Sequence, residues 1–194
     1  MSRRPRGQLR VIGGTWRRRR LPVPPQGVRP TADRVRETLF NWLGPNVEGA
    51  HCLDLFAGTG ALGIEALSRG AAHVTFVEAD PQAARQLRSN LDTLGARAGR
   101  VEQRDALDYL RHVTVAPIDL IFLDPPYGAG WPLPCCEAVR ERGWLHPGGR
   151  LYIEDQAGAT EAERLPGWEV ERQGRAGRSR FYLLKPADHA ERGN

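Results

Sequence analysis

The chain has 194 residues, 40% apolar and 26% charged, which accommodates one α/β domain and leaves little for a second. No apolar run nears a membrane span, no secretory stretch follows the arginine-rich start, and three cysteines (Cys52, Cys135, Cys136) sit in no metal-ligand spacing, so we expect a cytoplasmic monomer with reduced structural thiols, no metal and no membrane association. Charge is lopsided: residues 1–36 carry eleven arginines against Asp33 for +10, the remainder sums to −5, and a basic arm on an acidic body points to a polyanionic partner.

In chain order, two short β-like stretches, Gln8–Ile12 and Trp16–Val23, flank Gly13-Gly14, a hairpin turn signal. A proline-rich link (Pro22, Pro24, Pro25, Pro30) leads to a helix over Asp33–Leu43, with Val35, Leu39 and Leu43 at helical spacing and Thr31 or Asp33 as cap. From His51 strands and helices alternate. Strands are expected at Cys52–Phe56, His73–Glu78, Arg100–Arg104 and Ile118–Leu123, and helices at Ala61–Arg69, Pro81–Leu94 and Ala106–His112. A helix at Leu133–Arg142 and strands near Arg150–Glu154, Trp168–Gln173 and Arg180–Lys185 follow, with Gly174–Gly177 turning the last two. Repeated βα units predict a Rossmann-like, doubly wound, mostly parallel seven-stranded sheet with an antiparallel C-terminal hairpin, plus a small N-terminal hairpin and helix extension. The expected organisation is a basic arm over 1–30, a main domain over 31–186 and a disordered tail over 187–194.

Ligands in such sheets bind beyond the carboxyl ends of the strands. The first main strand ends in Asp54-Leu55-Phe56-Ala57-Gly58-Thr59-Gly60, where glycines let the backbone turn tightly against a ligand. Glu78, 18 residues after Gly60, closes the second strand and can accept from ribose hydroxyls. Gly58-x-Gly60-x-x-Gly63 also satisfies the dinucleotide fingerprint, but Asp54 beside the glycines is a poor neighbour for a pyrophosphate. It suits a cationic ligand, and S-adenosyl-L-methionine carries both a sulfonium and an ammonium. Asp105 can accept from an adenine amino group or cap the helix opening at Ala106, and the two roles are compatible.

The fourth main strand runs into Asp124-Pro125-Pro126-Tyr127. Two prolines fix φ and remove N–H donors, so the Pro125 carbonyl is held beside the Asp124 carboxylate. Two such acceptors can bind both hydrogens of an exocyclic amine and aim its lone pair at a methyl donor, while Tyr127 stacks on a flipped base. Pro134-Cys135-Cys136 resembles the Pro-Cys of cytosine-C5 methyltransferases only superficially, because it falls in a helix; we read those thiols as buried.

Taken together these residues resemble the RsmD family of 16S rRNA guanine-N2 methyltransferases. The likeness is carried by Arg10-Val11-Ile12-Gly13-Gly14-Thr15-Trp16-Arg17, by the segment from Arg29-Pro30-Thr31-Ala32-Asp33 to Leu43, by Leu53 to Gly63, and by Glu65 to Gly70. It implies a class I methyltransferase that acts on guanine 966 in assembled or nearly assembled small ribosomal subunits. It also implies a cofactor site of Asp54, Phe56, Ala57, Gly58, Thr59, Gly60, Glu78, Asp105 and Ala106, with Thr31 closing over it, and a target site from Asp124 to Tyr127. The arginines Arg10, Arg17, Arg18, Arg19 and Arg20 are the expected rRNA contacts. A DNA adenine-N6 or cytosine-N4 methyltransferase and a non-catalytic rRNA-binding assembly factor are the alternatives. The first would need a recognition domain for which the length leaves little room.

Overall fold

A computed structural model describes residues 7–24, 32–125, 132–156, 165–177 and 179–187. Two strands, β1 (Gln8–Arg10) and β2 (Arg20–Pro22), form a small antiparallel sheet before helix α1 (Asp33–Leu43) and a 3-10 turn at Gly44–Val47. The main body then runs β3 (His51–Leu55), α2 (Ala61–Ser68), β4 (His73–Val77), α3 (Pro81–Leu94), β5 (Gly99–Glu102), α4 (Ala106–His112) and β6 (Ile118–Leu123). It finishes with α5 (Pro132–Glu141), β7 (Leu145–Gln156), β8 (Trp168–Ala176) and β9 (Ser179–Pro186).

The seven strands from β3 onward form one sheet in the order β5-β4-β3-β6-β7-β9-β8, parallel from β5 to β7 and antiparallel beyond. Alternation along each strand divides the core in two. Cys52, Val74, Phe76, Leu120, Phe122, Tyr152 and Leu183 pack with α1, α2 and α3. Leu53, Leu55, Val77, Ile121, Leu123, Ile153 and Leu184 pack with α4 and α5. Covering both faces explains why the central strands are nearly continuous apolar runs. Helix α1 is tied to its face by aromatic contacts, Phe40 to Phe122 at 6.1 Å and Trp42 to Phe181 at 5.2 Å between ring centres. Phe122 in turn meets Tyr152 edge-on at 6.5 Å. Burying Leu39, Phe40 and Leu43 contributes roughly 1.5–3 kcal/mol each, and that burial orders the helix more than its propensity does. After β3 the chain winds to β4 on one side, and after β5 it returns to β6 on the other. The switch point therefore lies between β3 and β6, whose ends carry Asp54 and Asp124.

Several sequence expectations need correction. Gly13-Gly14 does not form the hairpin turn; β1 and β2 are joined by a loop over 11–19 that packs on α2. A side chain on Gly14 (φ +72°) would lie 1.7 Å from the Ser68 carbonyl oxygen, so the glycines permit backbone-to-backbone approach. Asp33 does not cap α1, which starts from Ala32 without a side-chain cap; its carboxylate instead takes the guanidinium groups of Arg36 and Arg10. Thr31 lies outside the described residues. Gly174 stays within β8, where it gives space to the Phe181 ring, and pairing continues to Ala176 with Ser179. Strand β7 begins at Leu145, well before the expected Arg150, and its pairing with β6 shifts between Ile118 and Leu120.

Candidate active site

The turn after β3 is shaped by two carboxylates and three glycines. Phe56 adopts φ +57°, a left-handed conformation costly for an aromatic residue, and Gly58 and Gly60 follow at +53° and +75°. The loop closes on itself through Gly60 N–H to the Ala57 carbonyl at 2.6 Å, while Ala57 N–H reaches the Val77 carbonyl at 2.9 Å. Gly58 N–H donates to Glu78 Oε2 at 2.7 Å, and Glu78 Oε1 accepts from Asp80 N–H at 2.7 Å. Asp54 Oδ2 accepts from Gly63 N–H at 2.9 Å, binding the strand end to the first turn of α2. Gly63 is required there, because a Cβ would sit 2.2 Å from the Phe76 ring. Ala57 and Thr59 are buried in this turn, and Ala106 is buried at the start of α4.

Asp105 caps α4, its carboxylate accepting from Asp108 N–H at 2.9 Å. Asp124 is half-buried after β6 and Pro125 is buried, whereas Pro126 and Tyr127 lie outside the described residues. The sequence reading missed Glu154, which is 5% exposed near the carboxyl end of β7. The signal was present: an acid that ends the apolar run Leu151-Tyr152-Ile153, in the strand beside Asp124.

The arrangement thus places one acid at the carboxyl end of each of five neighbouring parallel strands: Asp105, Glu78, Asp54, Asp124 and Glu154, in sheet order. Their mutual repulsion has consequences. Burial above all, and then the charges of Asp124 and Glu78, hold the Asp54 carboxyl well above its ordinary range, against the opposing Gly63 hydrogen bond. Burial and the Asp124 charge likewise push Glu154 up to about 7. Acids crowded so closely are complementary to a cationic ligand and hostile to a pyrophosphate. The donor set therefore fits S-adenosylmethionine and not a dinucleotide. Each Glu78 oxygen keeps a lone pair for a ligand hydroxyl beyond its backbone bond. Among the described residues no cluster of three or more histidines, cysteines or acids could hold a metal ion, and no helix is long and apolar enough to cross a membrane. The three thiols are buried and free.

The basic hairpin is a separate feature. Arg17, Arg18, Arg19 and Arg20 are all exposed on it, and Arg18 takes φ +70°. Arg10 is half-exposed and paired with Asp33 at 2.9 Å. What seats the hairpin is Glu65, fully buried in α2, a second residue whose role the sequence reading missed. Glu65 accepts from Ile12 N–H at 2.9 Å, Gly13 N–H at 2.7 Å and Arg69 Nε at 2.7 Å. Arg36, 1% exposed, lies 3.6 Å from Glu65 and donates to Asp33 at 2.5 Å and to the Arg10 carbonyl at 2.9 Å. Asn90 of α3 adds a bond to the Pro22 carbonyl at 3.0 Å. The structure brings Asp54, Glu78 and Asp124 within electrostatic reach of one another, and carries Arg17–Arg20 on an element of their own.

Comparison with known proteins agrees with this layout. The family described as conserved hypothetical protein 95 matches residues 9–185. The ribosomal RNA small subunit methyltransferase D of Escherichia coli (strain K12) is 43% identical over 180 residues, 92% of this chain and 90% of that protein. The protein of the same name from Haemophilus influenzae is 44% identical over 155 residues, 78% of this chain and 80% of that one. The solved structure of the Escherichia coli protein yhhF superposes with a TM-score of 0.83 at 43% identity, covering 93% of this chain and 98% of that one. With the family match spanning almost every described element and the strand-end acids in place, the chain belongs to the RsmD family, conserved hypothetical protein 95.

Proposed function

We propose that this chain methylates ribosomal RNA of the small subunit, and more narrowly the exocyclic N2 of guanine 966 in 16S rRNA, with S-adenosylmethionine as donor. The observation that carries the reading is Asp124-Pro125 at the switch point, one strand from the glycine turn and flanked on both sides by acids.

Asp54, Phe56 to Gly60, Glu78, Asp105 and Ala106 would hold the cofactor, with Thr31 at its cover. When bound, S-adenosylmethionine supplies a methyl group activated by its sulfonium. The protein's contribution is orientation. Asp124 and the Pro125 carbonyl accept the two N–H hydrogens of the guanine amine, drawing its lone pair out of conjugation, and Tyr127 with Pro126 walls the base. Asp124 is also the carboxylate nearest the nitrogen as it sheds a proton. Arg17 to Arg20, with Arg10 beside them, meet rRNA phosphates.

Methyl transfer from tritiated cofactor tests this, with undermethylated small subunits, naked 16S rRNA and DNA offered in parallel. Labelling of the subunits, mapped to a single N2-methylguanine, is expected. Preferential labelling of DNA, or cofactor that fails to bind in calorimetry, would overturn the reading.

A further inference from the structure

We propose that Glu154 is a positioning residue of the reaction site, forming with Asp124 a carboxyl pair that takes up the proton released by the substrate amine. This rests on the amino-methyltransferase reading above. Parallel pairing of β6 and β7 matches Phe122 with Tyr152 and Leu123 with Ile153, so Asp124 and Glu154 are the next neighbours across the ladder. Adjacent strands lie about 4.8 Å apart, and the Asp124 charge acts on the Glu154 carboxyl. Glu154 is 5% exposed, lies beyond the Phe122–Tyr152 contact on the side roofed by α1, and accepts from the Tyr152 hydroxyl at 3.3 Å. Ser179 of β9 supplies a second hydrogen bond.

The charged groups on the surrounding elements are otherwise placed. On β9, Arg180 is exposed and Lys185 pairs with Glu169. On α1, Arg36 is committed to Asp33 and the Arg10 carbonyl, and Arg34 and Glu37 are exposed. On β7, Arg150 is held by Glu171, and on β6, Asp119 accepts from His51 N–H at the far end of the sheet. Among the described residues, then, Glu154 faces Asp124 and two hydroxyls.

Burial and the neighbouring charge give it an affinity for protons near neutrality, about 7, which is where a base works best at physiological pH. An ordinary surface carboxylate would hold the proton too weakly. As the N–C bond forms from the amine lone pair, the C–S pair stays on sulfur and the nitrogen gives one proton to the Asp124 carboxylate. That proton comes to rest on Glu154, leaving Asp124 ionised against the product.

Two measurements test the pair. In carboxyl-labelled full-length protein, carbon NMR should show Glu154 titrating near 7, and D124N should lower that value because the adjacent charge is gone. Single-turnover methylation of small subunits, followed from about pH 5 to pH 9, should rise through the same region. E154Q, an uncharged isostere, should move that limb down by about one unit or more, since Asp124 no longer faces a second charge. Y152F, which deprives the Glu154 carboxylate of a donor, should move it up. Opposite shifts are the expected result. A limb that stays in place in both variants, or a Glu154 resonance indifferent to D124N, would reduce Glu154 to a structural residue. If E154Q does not fold, Y152F and the D124N titration decide. If wild type labels no RNA while the NMR coupling is present, the proposed substrate fails and the pair stands.

Discussion

Glu65→Gln is the substitution that most directly probes how the basic hairpin is held on the domain. Glu65 has no solvent exposure, and its two oxygens serve Ile12 N–H, Gly13 N–H and Arg69 Nε, with the nearly buried Arg36 guanidinium 3.6 Å away. Glutamine keeps one acceptor and turns the other into a donor aimed at donors. At least one buried N–H is then unpaired, at about 1–3 kcal/mol. Arg36 also loses one of its two carboxylates. It keeps Asp33, so only part of the roughly 3–5 kcal/mol for breaking a buried ion pair applies. The sum is about 3–5 kcal/mol out of the ~5–15 that hold a domain together, or a fall in Tm of about 6–20 °C for a chain of this size. Thermal unfolding by circular dichroism measures the loss, and hydrogen exchange at Ile12 and Gly13 reports whether the hairpin has detached. Affinity for small subunits should fall as well, although no arginine has been removed. Arg36→Met should cost less in the E65Q background than in wild type, because the two share one network. A loss under about 1 kcal/mol with both amides still protected would refute the reasoning.

Asp124→Ala should abolish turnover while S-adenosylmethionine affinity stays near wild type by calorimetry, since the carboxylate serves the amine; a mutant keeping most activity would remove that role. The Asp54 carboxyl binds its proton more tightly in the folded chain than in the unfolded one. Its contribution to stability is therefore present at acid pH and is lost as pH rises above the ordinary carboxylate range. Asp54→Asn keeps an acceptor for Gly63 N–H, so it should raise the ligand-free Tm at neutral pH, flatten that pH dependence and weaken cofactor binding; a lower Tm at neutral pH would contradict this account. Neutralising Arg17 to Arg20 should reduce the slope of log affinity against log salt by about 0.7–0.9 for each rRNA phosphate left without its guanidinium. An unchanged slope would mean that these exposed arginines are merely solvated.

Much of this protein was legible in one dimension because the relevant physics is local. Strand and helix periods follow from which side chains must face a two-sided core, and they placed α3, α4 and β6 at the residues where the structure has them. The Gly58-x-Gly60 turn and Asp124-Pro125 are legible for the same reason: φ is restricted by the residues themselves. Other features depended on partners that no local pattern specifies. Gly13-Gly14 has the chemistry of a hairpin turn, and only the approach of Ser68, more than fifty residues on, shows that it makes room for another backbone. Asp33 has the chemistry of a cap, yet Arg36 and Arg10 draw it away from the helix amides. Glu65 is a single acid inside an apolar helix, and Glu154 closes an apolar strand run. Their meaning comes from what packing sets against them, a pair of backbone amides and two arginines for one, a second carboxyl for the other. Sequence determines which groups a residue can offer, but a buried charge acquires its role from distances of a few ångströms in low dielectric, and those exist only once the sheet has closed.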